Sequence, residues 1–531
     1  MGDQKAKGRT LLLPLTGQKK SLTFLTAMIL VGAAPSASAQ TADPGSAGAV
    51  PGTTQAATAP QETAAIAELN AKLAEIDQTA RIAVRKAELL EEQLANKAKD
   101  AKENPPASVT ADEKGFGLKS GDGAWSLKFH ALLQADTRWF LDDGALSDKA
   151  DTFLIRRFRP AIDGTLFGVV DFKFVPDFAG SAAVLFDGYL DAHPVSWLRL
   201  RAGKFKSPLG LERLQSDADL VFIERALTQD LTPTRDIGAA LWGDIAGGVV
   251  NYNLGIYNGA ADTANPDLDT NHAKDFVGRI LIQPFKLEGL SDLGALGLHF
   301  AFSTGNRGPG TPTAAAATAT PLLPSFRSGG LSTFFTYLSS TDPAGTVFAH
   351  LRQTRINPGL FYYLGPFGLL GEYVRSSQEV QKGNVTATLK HQAAHATVSY
   401  VIGGKAGYDG ATPDSRFDLS RGTLGALEIG VRWNYLKVDS ATFGDAADAS
   451  VPTFADRYKS SSKAQGWAGA LTFVPSRTVR FAVNFEQTRF TGGSSVSTPV
   501  TDPDTGTTTP KVTIADRKTE NALFGRAQVN F

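Results

Sequence analysis

From Trp125 to Phe531, apolar and polar residues alternate with a period of two, segment after segment. A period of two puts successive side chains on opposite faces of an extended strand. Over 125–141, Trp125, Leu127, Phe129, Ala131, Leu133, Ala135, Trp139 and Leu141 share one face; Ser126, Lys128, His130, Gln134, Asp136 and Arg138 share the other. The same reading sets Leu427, Ile429, Val431, Trp433 and Tyr435 against Glu428, Arg432 and Asn434, and Val479, Phe481, Val483 and Phe485 against Arg480, Asn484 and Glu486. Upstream the period changes. Ile66, Leu69, Leu73, Ile76, Ala80, Ala83, Ala87, Leu90 and Leu94 follow alternating steps of three and four, a heptad seam that predicts a coiled-coil helix over 61–104. A lone amphipathic helix would share this spacing, and alanine at three consecutive seam positions makes the coil weak. The prolines of "ENPPAS" (103–108) end the helix.

Soluble sandwiches also alternate, so three further features decide the class. The strands run to about 9–17 residues, against about 9–11 for tilted membrane strands and about 5–6 in ordinary sheets. Their polar face carries full charges in strand after strand, which suits a water-filled lumen. Trp125, Trp139, Trp197, Tyr362 and Tyr435 fall near strand ends, as an interfacial girdle requires. The expectation is an all-β fold: an antiparallel transmembrane β-barrel of about 16 strands over 125–531, preceded by the helical segment. Short turns at 363–368 and 474–478 alternate with long polar loops near 304–331, 376–390, 439–462 and 491–516. The last strand ends in Phe531, resembling the C-terminal signal read by the outer-membrane assembly machinery.

The first 39 residues read as a signal peptide, with Lys19 and Lys20, an apolar stretch and Ala37-Ser38-Ala39 before the cut. The apolar stretch is shorter than the roughly 20 residues of a membrane anchor, and the long basic lead leaves open a later natural start. Residues 40–60 read as flexible linker, as do 105–124. The export signal and the barrel together predict the outer membrane, with the N-terminal segment in the periplasm and the barrel in contact with lipid and lipopolysaccharide. Lys plus Arg equals Asp plus Glu at 53 each, so net charge makes no case for nucleic acid. The absence of cysteine excludes disulfides and thiolate chemistry.

Candidate chemistry lies in the arginines of "FLIRRFRPAIDGTLF" (153–167). One face takes Leu154, Phe158, Ile162 and Leu166, and the other Arg157, Arg159, Asp163 and Thr165. Arg157 and Arg159 therefore point into the lumen, while Arg156 has lipid-side parity and must snorkel or mark a bulge. Arg199 and Arg201 of "WLRLRAG" face inward too, as does Lys173. Arginine stays charged and its planar fork matches phosphate or carboxylate oxygens, so a wall of such groups suits an anion path. Pairing with lumen acids such as Asp163, Asp171, Asp187 and Asp191 is the competing reading. The stretch 204–235 is too long for a tight turn and mixes apolar residues with Lys204, Lys206, Arg213 and Arg225. It is expected to fold into the lumen, the alternative being an external flap.

The stretches "FLIRRFRPAIDGTL", "LRLRAGKFKSPLGLERLQS", "VFIERAL", "TPTRDIGAALWGD", "GIYNGAAD" and "KDFVGRILIQPF" resemble the phosphate-selective porins of the O and P type. The likeness extends over most of 120–531 and is densest over 153–285. It implies a 16-stranded barrel, a homotrimer, and a basic lumen feeding a central phosphate or polyphosphate site. By motif, that site takes Arg157 and Arg159 from the early strand, Lys204, Lys206 and Ser207 from the loop, and Asp187; Arg199 and Arg201 extend the basic lining. A general diffusion porin without phosphate selectivity is the alternative. No cofactor is expected. No GxSxG, HExxH or Walker pattern supports an enzyme, and "HQAAH" (391–395) lies where a strand is expected rather than a metal-binding helix. An adhesin or envelope tether working through the long loops and coil is a third class.

Overall fold

The computed structural model describes residues 59–531 apart from 104, 114, 142–149, 270, 287–291, 308–321, 446–450, 502, 503, 505 and 506. The expected signal peptide and most of the 40–60 linker lie outside the described residues. Helix α1 runs Ala59–Glu103 and stops ahead of Pro105 and Pro106. Most of it falls in the first of two compact units, residues 1–90, and the barrel lies in the second, residues 91–531. Along α1 the seam residues Ile66, Leu69, Leu73, Ile76, Leu90 and Leu94 all stand exposed.

Sixteen antiparallel strands make the barrel: β1 (Ser126–Leu141), β2 (Thr152–Leu166), β3 (Val170–Asp177), β4 (Val184–Val195), β5 (Leu198–Phe205), β6 (Asp236–Ile245), β7 (Val250–Tyr257), β8 (Asp275–Ile282), β9 (Leu296–Asn306), β10 (Val347–Leu364), β11 (Phe367–Lys382), β12 (Val385–Ile402), β13 (Ala426–Lys437), β14 (Ser461–Val474), β15 (Val479–Thr501) and β16 (Glu520–Asn530). Each pairs with the next, and β16 returns to β1 from Asn521↔Leu141 to Asn530↔Leu132. The ring is finished by Phe531, whose carbonyl accepts from the Ala131 amide (2.9 Å) and whose amide donates to the Ala131 carbonyl (3.1 Å). Closure leaves no strand edge for lipid to desolvate.

The two faces separate as the alternation predicts. Phe158, Leu200, Phe481 and Val483 are 43%, 55%, 49% and 52% exposed on the outside, while Gln134 and Arg157 are 0% and 3% exposed on the inside. Buried polar residues dominate the inner wall because chain from the loops fills it. One apolar cluster inside joins Leu227 and Leu231 of the β5–β6 connection to Phe326, Phe334 and Phe335, Val374 of β11 and Ala393 of β12.

Four expectations need correction, the first being the long loop at 491–516, where Thr508–Asp516 pairs antiparallel with the end of β15 from Gly493↔Asp516 to Thr501↔Thr508. Residues 105–124 are not plain linker: Ser108–Asp112 and Gly115–Lys119 form a hairpin that joins β1 through pairs such as Phe116↔Phe129. Two five-residue strands are too short for a period to register. Residues 376–390 are not a long loop. Strands β11 and β12 continue to Lys382↔Val385 around Gly383 and Asn384, and Gly383 takes the φ of +56° that a two-residue turn requires. Leu154 does not share the face of Phe158. The β1–β2 register skips Arg156 between Arg157↔Gln134 and Ile155↔Ala135, so the bulge moves Phe153 and Ile155 outward and leaves Leu154 half-buried.

Val483 lies midway along the Val479–Thr488 segment that pairs with β16. Val483→Arg is expected to cost about 2–4 kcal/mol, measured by denaturant unfolding in lipid vesicles. Asn484→Arg, on the inner face of the same strand, would not follow that lipid-depth scale.

Candidate functional site: the basic wall of the lumen

The β2 and β5 arginines face the lumen and are paired there. Arg157 donates to Gln134 Oε1 (2.6 Å) and lies 3.4 Å from Asp217; Arg159 binds Asp177 (2.6 Å) and Asp217. Arg199 bridges Asp171 (2.9 Å) and Asp191 (3.1 Å), and Arg201 also binds Asp191 (2.6 Å). The bulge turns Arg156 inward, where it donates to Glu224 at 2.6 and 3.1 Å. The competing reading of these arginines is thus met in part: each of the five on β2 and β5 has a carboxylate.

Asp217 and Glu224 come from the connection between β5 and β6, which lies inside the barrel. Its Gly210 amide donates to Asn357 of β10 (2.8 Å), and its Leu211 amide donates to Glu372 of β11 (2.5 Å). Arg480 of β15 and Gln528 of β16 donate to the Ala218 carbonyl at 2.8 and 2.9 Å. Arg432 of β13 donates to the Glu224 carbonyl (2.8 Å), while the Glu224 carboxylate binds Arg138 of β1 (2.7 Å). Gly210 has φ +82°, and a Cβ there would sit 2.7 Å from that of Arg213, so only glycine makes this turn without strain.

Between loop and wall lie successive cavities. An upper one of about 410 Å³, toward the long loops, is lined by Arg156, Arg157, Arg159, Arg213, Arg225, Arg235 and Arg327 against Asp177, Asp217 and Asp230. A middle one of about 460 Å³ takes Lys173, Arg201, Lys206 and Arg279, with Asp187 and Asp409. The two share Arg159, Phe186, Asp217 and Arg235. A third, of about 520 Å³, continues along Lys128, Lys173, Arg199 and Arg201 toward the short turns. At the shared neck the guanidinium carbons of Arg159 and Arg235 lie 3.4 and 3.8 Å from the Phe186 ring centroid. Two groups that close to one centroid can only occupy opposite faces of the ring.

Of the other sequence-predicted residues, Lys206 and Asp187 reach the middle cavity. Asp187 holds Arg235 at 2.7 Å, and Lys206 donates to the Leu214 (3.1 Å) and Gln215 (2.5 Å) carbonyls. Lys204 and Ser207 are buried but line none of these cavities; Lys204 is bound to Asp267 at 2.5 Å. His395 of "HQAAH" sits on β12 beside Glu372 and Glu212, with donor atoms within 4.8 Å. The Glu372 oxygens already accept from Leu211, Thr228 (2.9 Å) and Asn357 (3.0 Å), so this carboxylate serves to anchor the loop.

Comparison with known proteins bears on what such a barrel is. The family model of the phosphate-selective porins O and P matches residues 127–505. The chain belongs to that family. As a member of this porin family it is an outer-membrane channel protein. Solved structures similar to it include the anion-selective porin from Comamonas acidovorans (11% identity, 77% of this chain and 100% of that one, TM-score 0.46). They also include the channel DcaP of Acinetobacter baumannii (11%, 78% and 99%, 0.45) and the trimer form of OmpT from Vibrio cholerae (10%, 77% and 100%, 0.44). No curated protein matched.

The porin's upper cavity contains arginines that parity could not assign. Arg213, Arg225 and Arg235 lie on the inward loop, Arg327 lies in the long 307–346 loop, and Arg156 enters through the bulge. The density of basic residues over 204–235 was the signal for the loop, and the lipid-side parity of Arg156 was the signal for the bulge. Among the described residues, Lys128, Lys173, Lys206, Arg213, Arg279 and Arg327 have no carboxylate partner within 4 Å, although all six line a cavity.

Glu224 holds buried guanidiniums from two strands. Glu224→Ala is expected to destabilise the porin by about 3–5 kcal/mol and to open the loop to protease, read by limited proteolysis and thermal unfolding. Asp230 lies on the loop rather than on a membrane strand, and burial raises its pKa to about 8. It is therefore neutral at pH 7 and gains its negative charge as the pH passes 8, reducing the cationic excess of the upper cavity. Burial also lowers the Lys206 pKa well below the usual lysine range. The chloride-over-potassium permeability ratio is expected to fall between pH 7 and pH 9, and Asp230→Asn to remove part of that fall, read from reversal potentials.

Proposed function

We propose that this porin is a passive channel for small anions, with phosphate or polyphosphate as the preferred solute. The observation that carries the reading is the composition of the upper cavity, where seven arginines face three aspartates. A cationic wall that its carboxylates compensate only in part raises the local concentration of anions and repels cations. The guanidinium fork suits tetrahedral oxyanions, and several sites in succession let an ion leave as readily as it enters. The family's name for phosphate agrees with this reading. In the proposed path, ions pass from Arg213 and Arg327 through the neck at Arg159 and Arg235, then by Lys206 and Lys173 to Arg201 and Arg199. Lys204 and Ser207 act from behind the wall.

A general diffusion porin is the second reading, favoured by the carboxylates on Arg157, Arg159, Arg199 and Arg201. In either case the chain acts as a homotrimer in the outer membrane, among lipid and lipopolysaccharide. Three copies of α1 meet along their exposed seam in the periplasm, and Phe531 is presented to the assembly machinery.

Planar-bilayer recording separates the two readings. Phosphate is expected to block chloride current and the reversal potential to show anion preference; a cation-preferring pore overturns the proposal. Anion preference without phosphate block leaves the general porin. Among the described residues, the Lys173 and Arg327 side chains form no ion pair with a carboxylate within 4 Å. Lys173→Gln with Arg327→Gln is therefore expected to lower the chloride-over-potassium permeability ratio about two- to fivefold without loss of assembly.

A further inference from the structure

The neck between the upper and middle cavities already contains an anion, and it belongs to the chain. Asp217 lies on the inward loop, is buried, and is one of the four residues common to both cavity walls. Its carboxylate is bound by Arg159 and Arg225 and lies 3.4 Å from Arg157, so guanidiniums from the wall and from the loop itself converge on it. Its carbonyl accepts from Gln134 Nε2 at 2.9 Å, fixing the backbone under the side chain. Three guanidiniums around one carboxylate is the arrangement that would receive a free oxyanion. Asp177 and Asp187 differ: each holds a single arginine, Arg159 and Arg235 respectively, from the side.

We propose that Asp217 is a resident ligand of the neck, which a passing oxyanion must displace from Arg157 and Arg159 in order to cross. The inference rests on the anion-channel reading and adds the device that sets its affinity. A site that is occupied from within binds solute with an affinity reduced by the fraction of time it stands empty. The exchange is between like groups, one carboxylate for one phosphate oxygen pair, so no guanidinium is left bare in a buried place during passage. Arg225 belongs to the same loop as Asp217 and gives the displaced carboxylate a partner to keep.

The test is the phosphate concentration that halves chloride current through single channels, in the full-length protein reconstituted in planar bilayers. Parent channels that show neither block nor anion preference would overturn the proposed function, independently of Asp217. Given block in the parent, Asp217→Asn is expected to lower the half-blocking concentration roughly tenfold or more and to lengthen each blocked interval. Asp217→Glu, which keeps the charge, should stay near the parent. Equal block in the Asn and Glu variants, or weaker block in the Asn variant, overturns the proposal. If Asp217→Asn does not assemble, judged by heat-modifiable mobility, the same substitution is read in the Arg225→Gln background, where one guanidinium is lost with the carboxylate. There the block should tighten relative to Arg225→Gln alone, and no tightening overturns the proposal.

Discussion

A closed barrel confines its polar face, and every guanidinium held there must find an anion, whether a carboxylate of the chain or a solute. Lipid outside forbids the arginines of β2 and β5 any other direction, because charge on the lipid face costs several kcal/mol near the midplane. Water inside screens them only where cavities remain. The inward loop changes this balance. It brings Asp217 and Glu224 to the wall arginines, but it also brings Arg213, Arg225 and Arg235, so arginines outnumber aspartates in the lining of the upper cavity.

The same loop explains why the barrel interior is packed rather than open. Its apolar residues Leu227 and Leu231 form a core with wall side chains, and its backbone is bonded to several strands. These contacts fix the cavities in place, which a mobile flap could not do. A selectivity element needs this rigidity, since a displacement of a few tenths of an ångström decides whether a guanidinium fork meets its oxyanion.

The barrel was legible because lipid on one side and water on the other impose a strict period of two, and a one-residue slip would invert every side chain. Legibility failed where that contrast ends. Toward its turn β11 runs Ser376, Ser377, Gln378, Glu379, Gln381 and Lys382 over both faces, so residues 376–390 read as a loop although Gly383 and Asn384 carry a two-residue turn. Parity assigned Arg157 and Arg159 correctly, yet it put Leu154 on the wrong face because a bulge resets the count at Arg156. The bulge left a mark of its own: a charged residue at lipid-side parity. On the inward loop there is no period at all. Lys204 and Ser207 were expected at the site from resemblance, while Arg235, which does line it, became visible only in three dimensions.

In the proposed path, pairing and transport coexist at the neck. Arg159 and Arg235 stack on opposite faces of Phe186, and each is also held by a carboxylate, from Asp177 and Asp187 respectively. The ring orders the two guanidiniums without neutralising them, because its quadrupole attracts a cation and carries no net charge. The flanking carboxylates each take only part of a five-donor group, so edges remain to bind a passing ion. A bare cluster of arginines would hold phosphate too firmly to release it, and a fully neutralised one would not attract it. Partial compensation on a rigid ring lies between these limits, where conduction requires the binding to be.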